Sequence, residues 1–169
     1  MNQDWNTTPL PELIEHIVAT HHAYCRREMA SLLEQLHTAP VPAALRVDFQ
    51  QMCAALAQHL AKEELVLFPL IARFEVARRE HTPPPRPSFG SVAAPIRMMV
   101  LEHGEAEKML AGMRAETGGF TPPTGASAAV QTAYAGLRAF DEDMKRHVQL
   151  EDEYLFPRAV ALEQELLGR

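Results

Sequence analysis

At 169 residues, with 47% hydrophobic and 22% charged side chains, the chain has the size and composition of one soluble globular domain with a sizeable core. A formal charge of -6, with no Lys/Arg-rich run, excludes the electrostatic footprint of a nucleic-acid or anionic-membrane binder. No apolar run approaches the roughly 18 residues that span a bilayer, and Met1-Asn2-Gln3-Asp4-Trp5 lacks the basic and then apolar stretches of a signal peptide. A cytoplasmic location is therefore expected.

Strand patterns are weak, whereas apolar residues recur at spacings of three and four in four segments separated by Pro/Gly-rich breaks. This predicts an all-α fold of four helices in a single domain over residues 1–169. The first helix begins after Thr7-Thr8-Pro9, a hydroxyl cap followed by a proline in the first turn, and runs to about Leu36. Pro40-Val41-Pro42 makes the turn, and the second helix runs from about Ala43 to the late seventies. The stretch from His81 to Gly90 carries Pro83-Pro84-Pro85 and Pro87 and reads as a long surface connection. A third helix opens at Pro95 and stops at Gly118-Gly119, and the last runs from about Ser127 to the end. Pro69 and Pro157 lie inside helical pattern and should each kink or end their helix.

One eleven-residue pattern occurs twice, 88 positions apart: His59-Leu60-Ala61-Lys62-Glu63-Glu64-Leu65-Val66-Leu67-Phe68-Pro69 and His147-Val148-Gln149-Leu150-Glu151-Asp152-Glu153-Tyr154-Leu155-Phe156-Pro157. Both read H-x3-E-[DE]-x2-L-F-P. A His and a Glu four apart stand on one helix face, so each copy aims an imidazole and a carboxylate at one point. Helical phase puts both pairs in the apolar seam, within Met52, Leu56, His59, Glu63, Val66, Leu70 and within Leu137, Phe140, Met144, His147, Glu151, Tyr154. The same phase places His22 with Val18, Cys25 and Met29, and His103 with Met99, Ala106 and Leu110. Four imidazoles and two carboxylates in a core would each cost on the order of 1–3 kcal/mol if unpaired. A metal pair held by His22, His59, Glu63, His103, His147 and Glu151 compensates them, as facing helices of bundles do elsewhere. With only Cys25 and Cys53 and no C-x-x-C pair, an all-cysteine site is excluded, and His with carboxylate suits iron, zinc, copper or manganese.

The other candidates read differently. His16 and His21 fall off the seam and are expected in solvent or behind a ligand. His81 lies in the connection. His37 follows the last apolar residue of the first helix, about 22 Å along a straight helix from His22, and would need a break in the helix to reach the same centre. Glu107 forms a third H-x3-E pair with His103, but beside the seam and next to Lys108, as on a solvated face. Cys25, one turn from His22, reads as a small core residue or a thiol behind the ligands.

These motifs resemble the hemerythrin-like repair-of-iron-centres proteins, di-iron proteins associated with nitrosative stress. The resemblance covers nearly the whole chain. It rests on Asp4-Trp5, Pro9-Leu10, Leu13-Ile14-Glu15-His16-Ile17 with His21-His22, the two repeated strings, Pro95-Ile96 leading to Glu102-His103, Phe120-Thr121-Pro122-Pro123, Tyr134-Ala135-Gly136-Leu137 and Arg158-Ala159. It implies a hemerythrin-like four-helix bundle with two non-haem iron ions, oxo- or hydroxo-bridged when oxidised. It gives His22, His59, His103 and His147 ligand roles and makes Glu63 and Glu151 bridging carboxylates. A further family ligand, a histidine after Val at the end of the first helix, has only His37 to stand in for it, in a segment about six residues shorter. Full-length members carry a small amino-terminal domain with a cysteine pair, and this chain begins where that domain would end. Shorter members encoded with nitric-oxide reductases are thus the expected relatives.

The resemblance implies a cytoplasmic protein that binds nitric oxide at a ferrous centre, with repair of iron-sulfur clients as a related role. Reduction of nitric oxide is a catalytic variant for which the sequence shows no acid or electron-transfer partner. The alternatives are an oxygen carrier or sensor of the hemerythrin type, which would present an imidazole where Glu107 stands, and a zinc or manganese bundle hydrolase.

Overall fold

Four long helices follow one another: α1 (residues 10–38), α2 (residues 43–80), α3 (Ala93–Glu116) and α4 (residues 128–167). The computed structural model describes residues 4–168, so the part of the amino-terminal reading that rests on Met1, Asn2 and Gln3 lies outside it. Among the described residues there is no strand, and no helix is long and apolar enough to cross a membrane.

Helix ends fall within two residues of the sequence expectation, with different chemistry at two of them. Thr8 does not cap α1. Its hydroxyl donates to the Asp4 carbonyl at 2.8 Å in a preceding turn, and Pro9 holds the cap position without a side-chain bond. α3 begins at Ala93 rather than Pro95, because a remote carboxylate supplies the cap: Glu163 on α4 accepts from the Val92 N–H at 2.9 Å and the Ser91 hydroxyl at 2.5 Å. Ser127 caps α4, accepting from the Val130 N–H. Gly118 and Gly119, both with positive φ, carry the chain away from α3.

Pro69 and Pro157 neither end nor sharply break their helices. Directly before each, the backbone widens into a π turn, Glu63–Leu67 in α2 and Leu150–Leu155 in α4. There the Phe68 N–H donates to the Glu63 carbonyl and the Phe156 N–H to the Glu151 carbonyl, five residues back. The proline then enters the first turn of the next α segment, where its missing N–H costs little. α1 has a third π turn, Ile17–His22. Each widened turn adds one residue and rotates the inward face. Beyond the site the core residues are therefore Leu67 and Leu155, while Val66 is exposed and Tyr154 half-buried, contrary to the uninterrupted phase.

α1 packs along α4 and α2 along α3, with the amino-terminal part of α1 and the end of α4 closing on the second half of α2. The apolar core is two clusters. One gathers Leu32, Phe49, Leu56, Leu110, Leu137 and Phe140, and the other Leu13, Ile17, Phe68, Phe74, Met99 and Phe156. Along every helix the six candidate ligands fall between the two. Phe140→Ala and Phe74→Ala should each cost about 3–5 kcal/mol. Their effects should add to within roughly 0.5 kcal/mol, since a polar layer separates the cavities. Denaturant unfolding of the single and double variants checks both.

Candidate metal centre

Six buried side chains converge between the clusters: His22 from α1, His59 and Glu63 from α2, His103 from α3, His147 and Glu151 from α4. His22, Glu63, His147 and Glu151 are fully buried. The six form two groups of four. His22, Glu63, His147 and Glu151 make one, and His59, Glu63, His103 and Glu151 the other, with ligand atoms in each lying within 4.8 Å of one another. Both carboxylates belong to both groups. Glu63 turns Oε2 toward His22 Nε2 at 3.5 Å and Oε1 toward His59 Nε2 at 3.3 Å. Glu151 turns Oε1 toward His147 Nε2 at 3.0 Å and Oε2 toward His103 Nε2 at 3.1 Å.

The imidazoles meet through their Nε2 atoms, 3.0 Å apart for His22 and His147 and 3.1 Å for His103 and His59. Two neutral ring nitrogens so close can share only one proton, and both Glu63 oxygens are buried without a hydrogen bond. A cation in each group answers both shortages, so the donor set fits a metal site. Outside this ring, Glu64 accepts from His22 Nδ1 at 2.7 Å, Glu102 from His59 Nδ1 at 2.8 Å and Asp152 from His103 Nδ1 at 3.0 Å. With the proton held on Nδ1, each Nε2 lone pair is left facing the centre. Arg26 and Lys62 in turn hold Glu64 and Glu102.

Residues 13–159 match the hemerythrin HHE cation binding domain. The chain is 35% identical over 167 residues to the iron-sulfur cluster repair protein YtfE of Edwardsiella ictaluri (strain 93-146), covering 94% of this chain and 70% of that protein. It is 32% identical over 170 residues to the iron-sulfur cluster repair protein YtfE of Escherichia coli O157:H7, covering 95% and 71%. The chain belongs to the hemerythrin HHE family, in its repair-of-iron-centres group.

All six residues that the sequence singles out in this HHE domain thus come together. The remaining candidates do not. His37 is exposed in the last turn of α1, and the exposed Glu107 pairs with Arg114. His81 is exposed in the left-handed residue that ends α2. His16 packs its ring on Trp5. His21, expected off the seam, is buried: the π turn brings adjacent histidines inward together, and its Nδ1 meets Asp143 at 3.0 Å. The outer carboxylates went unnoticed in the sequence, though the acidic residue after each Glu of the repeat, and Glu102 before His103, were its visible signal.

Electrostatics follow from the packing. Burial opposes charge on His103, but hydrogen bonds to Asp152 and Glu151 outweigh it and lift the ring to about 9. Burial of His147 is likewise outweighed by Glu151 and Cys25, which hold it well above the usual histidine value. Burial of Glu151 is outweighed by His147, His103 and His22, which hold it well below the carboxylate range, whereas burial and the Glu151 charge push Glu63 up.

A folded-state value of about 9 against 6.5 means that His103 binds its proton more tightly in the folded, metal-free protein. That stabilisation is fully present below about pH 6.5 and is lost as pH rises through about 9. Metal on the ring replaces the proton. The melting temperature of metal-stripped protein should therefore fall across this window more steeply than that of metal-loaded protein. Parallel pH profiles would contradict the assignment of His103 to the centre.

Proposed function

We propose that the chain is a single-domain, cytoplasmic di-iron protein that binds nitric oxide at its reduced centre under nitrosative stress and serves the repair of iron-sulfur proteins. The observation that carries the two-ion reading is the sharing of Glu63 and Glu151 by two four-donor groups, each carboxylate turning one oxygen to each group. His22, His59, His103 and His147 would hold the ions and Glu63 and Glu151 would bridge them. A nitrogen and carboxylate field of this kind suits iron, as does membership of the family. When bound, a ferrous pair supplies reducing equivalents and coordination positions that four protein donors per ion leave open.

The chain's own residues do the rest. Glu64, Glu102 and Asp152 orient the imidazoles, and the two bridging carboxylates keep a fixed negative charge between the ions. A cavity of about 140 Å³ between α2 and α3, lined by Met52, Leu56, Met109 and Met144 together with Glu102 and Glu105, reaches His59 and His103. Its mainly apolar lining admits a small uncharged diatomic. The names of the YtfE relatives supply the repair role.

Anaerobic titration of the reduced, iron-loaded protein with nitric oxide should give a new visible absorption that saturates stoichiometrically. Ala55→Phe, which adds bulk at the exposed side of the cavity, should slow association without loss of iron. A damaged cluster protein should recover activity with the loaded protein as the iron source. A reduced protein that ignores nitric oxide would refute the ligand reading, and failure of recovery would refute the repair role.

Glu63→Gln and Glu151→Gln keep the side-chain shape but remove a negative charge between two cations. Each variant should bind iron more weakly, and a magnetically coupled pair should become uncoupled or mononuclear. Unchanged coupling in both would show that neither carboxylate bridges.

A further inference from the structure

The repeated string makes the centre nearly two-fold symmetric, with α1 and α2 matching α3 and α4. Glu64 accepts from His22 Nδ1 as Asp152 accepts from His103 Nδ1. Phe68 stacks on His22 with ring centroids 5.6 Å apart, and Phe156 on His103 at 5.9 Å. Among the outer partners of the four ligand imidazoles the symmetry fails at one place. Glu102, the residue before His103, accepts from His59 Nδ1. Its counterpart before His22 is His21, which offers no carboxylate to His147. Instead its ring lies parallel to that of His147, at 5.8 Å and 4°, and its own Nδ1 is turned to Asp143.

His147 is therefore the one ligand imidazole of the six-residue set whose buried Nδ1 is met by no carboxylate. The neighbouring group is the Cys25 thiol, which is fully buried and donates to Met144 Sδ at 3.5 Å. Sulfur is a weak acceptor. An outer carboxylate raises the basicity of a ligating imidazole, and losing one commonly lowers metal affinity on the order of 10–100-fold. The His59/His103 group has two such carboxylates, and the His22/His147 group has one.

We propose that the two halves of the centre are unequal by construction of their outer partners: iron in the His22/His147 half is the exchangeable ion, and iron in the His59/His103 half is the retained one. His21 and Cys25 are the positioning residues that set the difference. The inference rests on the two-ion reading and deepens it, since a protein that gives up iron to a damaged cluster then has one dedicated donor position and one anchor.

Iron counted before and during a challenge with excess chelator under anaerobic conditions tests it. The wild type should hold two irons and release them in two phases of equal amplitude, separated on the order of tenfold or more in rate. The variant His21→Glu/Asp143→Asn restores a carboxylate beside His147 Nδ1 and removes the like charge next to it. It should slow the fast phase and leave the slow one unchanged. Glu102→Gln, the mirror change at a half-buried position, should speed the slow phase alone and keeps the test open if the first variant does not fold. Two irons leaving wild-type protein in one phase, or Glu102→Gln acting on the fast phase, would overturn the inference while leaving the two-ion reading intact. Fewer than two irons before the challenge would remove that reading and the inference with it.

Discussion

Four imidazole nitrogens and four carboxylate oxygens face one another inside a bundle, with too few protons to satisfy them. The rest of the structure depends on this layer. Apolar packing is interrupted at the same level of all four helices, so the core is two clusters joined through His22, His59, Glu63, His103, His147 and Glu151. Without a cation the layer sets a raised Glu63 beside a depressed Glu151 and raises His103 and His147. Such a layer opposes folding unless it is compensated. With cations in place the same groups tie the two clusters together, and metal binding and folding are thermodynamically linked.

The helices bend to this constraint. A regular helix cannot aim His59 and Glu63 inward, set Glu64 against His22, and then pass through Pro69 without losing a backbone bond. The π turn does all three, and α4 repeats the solution with Glu151, Asp152 and Pro157. The phenylalanine before each proline then stacks on a ligand of the neighbouring helix. Thus the L-F-P end of the repeat belongs to the site as much as its H-x3-E beginning.

The bundle and the six inward residues were legible because both follow from helical period alone: long segments of period 3.6, broken at Pro and Gly, with polar residues in the apolar seam. What period alone could not show lies where the backbone departs from it. The burial of His21, and of Leu67 rather than Val66, follows from widened turns that the uninterrupted phase does not contain. The outer partners were hidden for another reason. Glu64, Glu102 and Asp152 look like surface charges by phase, and their role appears only when a neighbouring helix presents a ring nitrogen to them. Likewise Glu163 caps α3 from 71 residues away in sequence, beyond any local signal.

The most direct test of the account is a crystal structure of the iron-loaded protein with anomalous scattering measured at the iron edge. The account predicts two peaks, one among His22, His147, Glu63 and Glu151 and the other among His59, His103, Glu63 and Glu151, about 3.5–4 Å apart as in other two-metal sites. A single peak in fully loaded protein, or two peaks that do not share the carboxylates, would contradict it.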